Sequence, residues 1–291
     1  MKTTTKLREL IKSKELIVAP GAFSPLCAKM IQKVGFNCVY MSGYGVAAYR
    51  LGFPDVGLMT MNESLDTARA IAQACDLPVI ADVDNGYGNV INVKRTVEEY
   101  ELAGVAGIQL EDQSWPKRCG HMEGKVLISA EEMVQKIRIA VASRKDPDFV
   151  IVARTDANTV LGFDEAIRRI NLYAEAGADI IFFESPTSDE QVEKIPDLVH
   201  APVMLNMSEG AKTPLRNNAE IRSLGYKLVI WPSSATWAAA RAIQEIYQIL
   251  KDKGTTGEDL EKLILFHEFN DLIGLPEVMR LSDEYKTGTT Y

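Results

Sequence analysis

The 291-residue chain predicts a (β/α)8 TIM barrel, an α/β fold, with additional C-terminal helices. Two observations carry the prediction. Eight short apolar runs recur with room for a helix after each, and nearly every run stops on polar or charged residues. Runs that are continuously apolar suit strands covered on both faces, and strands alternating with amphipathic helices form βα units. Eight such units in this length close a barrel.

In chain order the runs are "LIVAPGAF", "CVYMSGYG", "PVIADVDNG", "GIQLEDQ", "FVIVARTDA", "IIFFESP", "PVMLNMSEG" and "LVIWPSSA". Helix starts fall between them. Thr60 with Glu63, Ser129 with Glu132 and Ser188 with Gln191 match a capping box, in which the cap hydroxyl and the third helical side chain satisfy unpaired backbone donors. Residues 1–255 are read as the catalytic barrel and 256–291 as a helical extension.

A net charge of -8, with basic residues interleaved among acidic ones, leaves no basic stripe for nucleic acid or an acidic membrane. No stretch reaches 18 uninterrupted apolar residues and the N-terminus lacks a long apolar leader segment, so a cytoplasmic protein is expected. Cys27, Cys38, Cys75 and Cys119 are widely spaced without a CxxC pair, which argues against a disulfide framework or a structural zinc site.

Catalytic groups of such barrels collect at the C-terminal ends of the strands. Here those ends carry Ser42, Asp82 and Asp84, Glu111 and Asp112, Arg154 and Asp156, Glu184, Asn206 with Ser208 and Glu209, and Ser233 with Ser234. A single terminal acid suits a helix cap, but several at one rim need another account. Asp82 and Asp84, at i and i+2 of an extended segment, would face the same way and repel without a cation between them. With Glu111 they offer the hard oxygens that Mg2+ prefers, and Asp55 of "LGFPDVGL" can join through water.

The stretches "SGYGVAAYRLGFPDVGLMT", "ADVDNGYGN", "GIQLEDQSWPKRCGH", "VIVARTDA" and "NMSEGAKTP", in this order, resemble the isocitrate lyase and phosphoenolpyruvate mutase superfamily from about residue 16 to 250. The "KRCGH" loop resembles its carbon–carbon lyases, the methylisocitrate and 2,3-dimethylmalate lyases, rather than the phosphonate-processing branch. The resemblance implies a barrel whose last helix packs on a neighbouring subunit, in a homotetramer built as a dimer of dimers. It implies a Mg2+ site (Mn2+ as the substitute) on Asp82 and Asp84, supported by Glu111 and Asp55. It assigns Ser42, Gly43 and Tyr44 to the carboxylate of a pyruvate-like unit, Arg154 to the same half of the substrate, and Glu184, Asn206 and Ser208 to the pocket. Gly120 belongs to the substrate loop, and Cys119 matches the acid that protonates the departing carbanion.

Elementary chemistry supports these roles. Cleaving a 2-hydroxy acid between C2 and C3 requires loss of the hydroxyl proton, stabilisation of charge on oxygen and protonation of C3. A divalent cation supplies the Lewis acid and Arg154 a bidentate grip. Lys117, Arg118 and His121 around Cys119 are expected to lower the thiol pKa and to bind the second fragment's carboxylate. Gly120 and Gly124 suit a loop that closes over substrate. Tyr44, Glu111 through a water, and Glu184 stay open as the base.

Methylisocitrate lyases place arginines where this chain has Trp237 and Phe266, and "NMSEGAKTP" is closer to the dimethylmalate lyase pattern. A smaller, methyl-bearing dicarboxylate is therefore expected, with Trp237 lining its pocket. The alternatives are an oxaloacetate hydrolase, which in this superfamily carries serine where this chain has Pro232, a phosphonate-processing enzyme of the same fold, and a non-catalytic barrel retained for oligomeric binding, which the intact metal acids, Arg154 and Cys119 argue against.

Overall fold

A computed structural model describes residues 1–286. The predicted extension's last five residues, 287–291, lie outside the described residues. Each of the eight apolar runs forms a strand: β1 Ile17–Ala22, β2 Val39–Met41, β3 Val79–Asp82, β4 Gly107–Glu111, β5 Val150–Thr155, β6 Ile180–Phe183, β7 Val203–Asn206 and β8 Leu228–Trp231. They pair in parallel in chain order, and β1 closes on β8 from Ile17↔Leu228 to Pro20↔Trp231.

The side-chain alternation of a strand decides what faces where. Ile17, Ala19, Tyr40, Ile80, Val152, Phe182, Met204 and Ile230 form one buried cluster inside the barrel, joined by Leu7 of the helix Thr3–Lys12. The other parity packs outward against the helices, as Met41, Ala81, Ile151, Ile181 and Leu205 do. Carried to the strand ends, the inward parity reaches Ser42, Asp82, Glu111, Arg154, Glu184 and Asn206. One buried column thus ends in six polar groups at one rim.

The helix starts differ in detail from expectation. Thr60 and Glu63 form the full capping box. Ser129 and Ser188 cap only through their hydroxyls, and Gln191 reaches instead to the amide of Thr187. Asn89 with Asn92 and Asn217 with Glu220 form boxes outside the expected set. All four cysteines are free.

The chain divides into two compact units at Thr236/Trp237, ahead of the boundary expected near 255. The first, Met1–Thr236, holds the strands. The second holds most of the helix Ser234–Lys253 and the helices Phe266–Ile273 and Leu275–Glu284. Ser234–Lys253 buries Thr236 alone, and the later two helices bury no residue, so these amphipathic segments lack the covered face that barrel helices have. No described helix is long and apolar enough to cross a membrane.

Candidate active site

The acids at the ends of β3 and β4 are arranged by a turn rather than by strand alternation. β3 stops at Asp82, and Asp84 takes a left-handed backbone (φ 49°). Its amide donates to Asp82 Oδ1 at 3.1 Å. The expectation of two residues on an extended face is corrected: a side-chain-closed turn brings the carboxyls together. Gln109, inside the barrel, donates to Asp82 Oδ1 at 3.5 Å and accepts from Tyr40 Oη at 2.5 Å, so a polar pair supports Asp82 from below.

Lys117 pairs with two of the acids on this side of the rim. Its ammonium lies 2.5 Å from Asp55 Oδ1 and 2.8 Å from Asp84 Oδ1. Burial alone would lower the Lys117 pKa, but Asp55, Asp84, Glu111 and Asp82 together hold it well above the ordinary lysine range. Burial pushes the carboxyls of Asp82 and Glu111 up and takes Asp84 to about 7 even with Lys117 beside it. Neither oxygen of Glu111 has a hydrogen-bond partner among the described residues; Arg154 NH1 is 3.4 Å away.

These features fit a hard divalent cation, which prefers carboxylate oxygens and retains several waters. Among the described residues no three His, Cys, Asp or Glu side chains converge for direct ligation. The donor set of Asp82, Asp84, Glu111 and Asp55 therefore suits an ion held largely through its own waters.

Arg154 lies over the ring of Phe182, 5.3 Å from its centroid. Asp156 grips it through two bonds, Nε to Oδ2 at 2.9 Å and NH2 to Oδ1 at 3.0 Å. NH1 stays on the rim side, between Glu111 and Glu184 Oε2 at 3.5 Å. The outward parity braces this grip. Asp112 accepts from the Asp156 amide at 2.9 Å, from Thr155 Oγ1 at 2.6 Å, from Tyr173 Oη at 2.8 Å and from Arg169 NH1 at 3.1 Å.

The loop after β4 is docked on the rim. The Cys119 amide donates to the Asp55 carbonyl at 3.1 Å. Gly120 is required by space: a Cβ there would lie 2.5 Å from Arg154 NH2 and 2.8 Å from Glu184 Cδ. His121 Nε2 lies 3.4 Å from Asn206 Nδ2, and its Nδ1 lies 3.2 Å from Ser185 Oγ, whose hydroxyl is 2.9 Å from Glu184 Oε1. Ser185 holds a left-handed φ of 54°, a strained conformation of the kind that collects at functional sites.

One expectation about this loop is overturned. Burial, with the charge of Asp55 adding to it, pushes the Cys119 thiol up to about 11 rather than down. The backbone hydrogen bond of His121 and the charge of Lys117 pull the other way but are outweighed, since Lys117 is paired with Asp55 and Asp84, and Arg118 turns outward to the Glu123 carbonyl at 3.0 Å.

The remaining predicted residues are distributed as follows. Ser42 caps the turn Gly43–Val46 by accepting from the Gly45 amide at 3.3 Å, and Tyr44 is half-buried in that turn. Gly43 lies against Asp82, where a Cβ would stand 2.9 Å from Oδ2. Asn206 Nδ2 is 3.4 Å from both oxygens of Glu184, and Ser208 donates to Ser233 Oγ at 3.1 Å. Trp237 opens the second unit, 39% exposed, and the other aromatic position, Phe266, is 73% exposed. Sequence reading missed Lys125 and Ser185, which carry no motif signal of their own.

The profile of the phosphoenolpyruvate phosphomutase family matches residues 7–251. The chain is 50% identical over 288 residues to a 2,3-dimethylmalate lyase of Eubacterium barkeri, covering 99% of this chain and 100% of that protein. It is 46% identical over 268 residues to a 2-methylisocitrate lyase of Aeropyrum pernix, covering 92% and 86%. Among solved structures, 2,3-dimethylmalate lyase, a PEP mutase/isocitrate lyase superfamily member, superposes with a TM-score of 0.92 at 36% identity, covering 100% and 99%. Oxaloacetate acetylhydrolase with 3,3-difluorooxalacetate gives 0.92 at 36%, covering 97% of each chain. Phosphonopyruvate hydrolase with oxalate and Mg2+ gives 0.89 at 32%, covering 98% and 99%.

Proposed function

The chain belongs to the phosphoenolpyruvate mutase and isocitrate lyase superfamily, and we propose that it is a Mg2+-dependent carbon–carbon lyase acting on 2,3-dimethylmalate or a similar 2-alkylmalate. The observation that carries the reading is the docking of Gly120 on Arg154 and Glu184, which brings the Cys119 loop over the rim that holds Asp82, Asp84 and Glu111. In retro-aldol cleavage the hydroxyl proton leaves and the C2–C3 bond breaks. Its electron pair stays on C3, conjugated with the adjacent carboxylate, and C2 becomes the 2-oxo carbon of the product.

When bound, the divalent cation supplies Lewis-acid stabilisation of the developing charge on the 2-oxygen. The chain's own residues do the rest. Arg154, pinned by Asp156, keeps NH1 toward the rim to meet the substrate carboxylate. Glu184 is our choice of base. Its Oε1 is linked through Ser185 Oγ to His121, whose side chain is 22% exposed and offers the proton a way to solvent. Cys119 protonates C3. A thiol raised to about 11 keeps its proton at neutral pH, and the carbanion it meets is a far stronger base than the thiolate left behind.

The second unit supports the rest of the reading. Phe266, Tyr285 and Val278 are 73%, 73% and 61% exposed, and we assign their cover to a second copy of this chain, within a cytoplasmic homotetramer. Sedimentation velocity tests the assembly. Assaying 2,3-dimethylmalate, 2-methylisocitrate and oxaloacetate side by side tests the activity. A 2-oxo acid from the first supports the lyase, whereas oxalate from oxaloacetate with no cleavage of either hydroxy acid would replace it by the hydrolase.

A further inference from the structure

Lys125 has no place in the reaction just described, yet its side chain is only 2% exposed. Its ammonium donates to the carbonyl of Gly120 and lies 3.2 Å from Asp156 Oδ1. That same oxygen accepts from Arg154 NH2 at 3.0 Å, and the amide of Asp156 is fixed by Asp112 at 2.9 Å. A lysine stripped of water is costly unless its hydrogens are met, so its two partners define where it must sit. One of them belongs to the arginine's brace and the other to the loop that carries Cys119.

We propose that Lys125 is a positioning residue: through Asp156 and the Gly120 carbonyl it sets the Cys119 loop against Arg154. Gly120 is held from both sides. Arg154 and Glu184 leave no room for a Cβ on one side, and Lys125 holds its carbonyl on the other. Without Lys125 the two Arg154–Asp156 bonds remain, so capture of the substrate carboxylate survives. The Gly120 carbonyl then keeps only the Ser185 hydroxyl at 3.3 Å, which is shared with Glu184 and His121. The loop loosens, and the thiol is no longer fixed over the carbon it must protonate. Burial supports the same picture from another direction, since Asp156 is held below the usual carboxylate range by Arg154 and Lys125 despite being fully enclosed.

The kinetic arm of the test rests on the lyase reading, and the other arm needs no substrate. For Lys125→Met in the full chain, kcat with 2,3-dimethylmalate and Mg2+ should fall about 10- to 100-fold, the range for a misplaced catalytic group. KM should change by less than about threefold, because the Arg154 grip persists. Lys125→Arg, which keeps a cation against Asp156, should recover part of the rate. In the substrate-free protein, iodoacetamide should alkylate Cys119 faster in Lys125→Met than in wild type, and Ser185→Ala, which removes the other donor to Gly120, should give a smaller acceleration. Unchanged alkylation in both variants overturns the proposal, whatever happens to Tm. So does a loss confined to KM, which would make Lys125 a support of Arg154 alone. Faster alkylation in a protein that cleaves no 2-hydroxy diacid would keep Lys125 as the loop's anchor and reject the lyase reading instead.

Discussion

Lys117 and Asp84 meet at 2.8 Å with each side chain 3% exposed, so the acid cluster carries a cation of the protein's own. Even so, Asp84 is raised to about 7 from an ordinary 3.8, chiefly by burial. A carboxyl raised in the folded state favours folding while it is protonated. Its contribution is full below pH about 4 and is lost as pH rises through about 7. In chelator, wild type should therefore lose thermal stability relative to Asp84→Asn across that window. Mg2+ should raise the wild-type Tm above pH 7 and raise that of Asp84→Asn less. Equal Mg2+ shifts in both proteins would remove Asp84 from the cation site.

Gly120→Ala should fold, because Gly120 lies at the rim and takes no part in either apolar cluster of the barrel. The added methyl meets Arg154 and Glu184 at 2.5–2.8 Å and must lift the loop. We expect kcat to fall about 10- to 100-fold with Tm within a few degrees of wild type. Full activity would show that the docked loop is dispensable.

Cys119, with a thiol raised to about 11, should alkylate slowly at pH 7. The rate should climb about tenfold per pH unit to beyond pH 9, where an ordinary thiol with a pKa of about 8.5 has levelled off. Substrate should slow it further. Cys119→Ser should retain metal-dependent stabilisation and product binding while losing most turnover, since a hydroxyl is a much poorer proton donor. Near wild-type turnover in Cys119→Ser would require another acid.

The substrate preference follows from where the rim's outer cations point. Lys212 is paired with Glu123, and Arg216 with Asp189 at 2.6 Å and Glu193 at 3.2 Å, so neither is held ready for a third carboxylate. An extra buried methyl is worth about 1 kcal/mol, and a desolvated carboxylate without a cation costs several. 2,3-Dimethylmalate should thus exceed 2-methylisocitrate in kcat/KM by more than about tenfold. The reverse order would show that Lys212 or Arg216 leaves its acid to bind the tricarboxylate.

The barrel was legible because its signal is repeated. Each strand is a short apolar run, and the polar residue at its end has a fixed parity, so Asp82, Glu111, Arg154 and Glu184 can be placed together without knowing any contact. What was not legible is where flexible side chains turn. Lys117, Arg118 and His121 flank Cys119 in sequence, yet the lowering pull of Lys117 and of the His121 backbone is outweighed by burial and by Asp55. Asp84 belongs to a turn closed by Asp82, which alternation could not foresee. Lys125, in a polar loop after glycine, reads as a solvated lysine; only the fold buries it against Asp156, 31 residues away in sequence.

The split between inward and outward positions at the strand ends also bears on how this enzyme could be altered. Arg154 and Glu184 turn toward the rim, while Thr155 beside Arg154, with Asp112, ties the rim to the surrounding framework. Inserting or deleting one residue within β5 or β6 would exchange these two populations and lose both functions at once. New specificity is therefore accessible by replacing side chains at inward positions or by remodelling the connecting loops, whereas changes of strand length are closed to it. A library aimed at other 2-hydroxy diacids should vary Tyr44, Asn206 and Ser208 and leave Asp112, Thr155 and Tyr173 untouched.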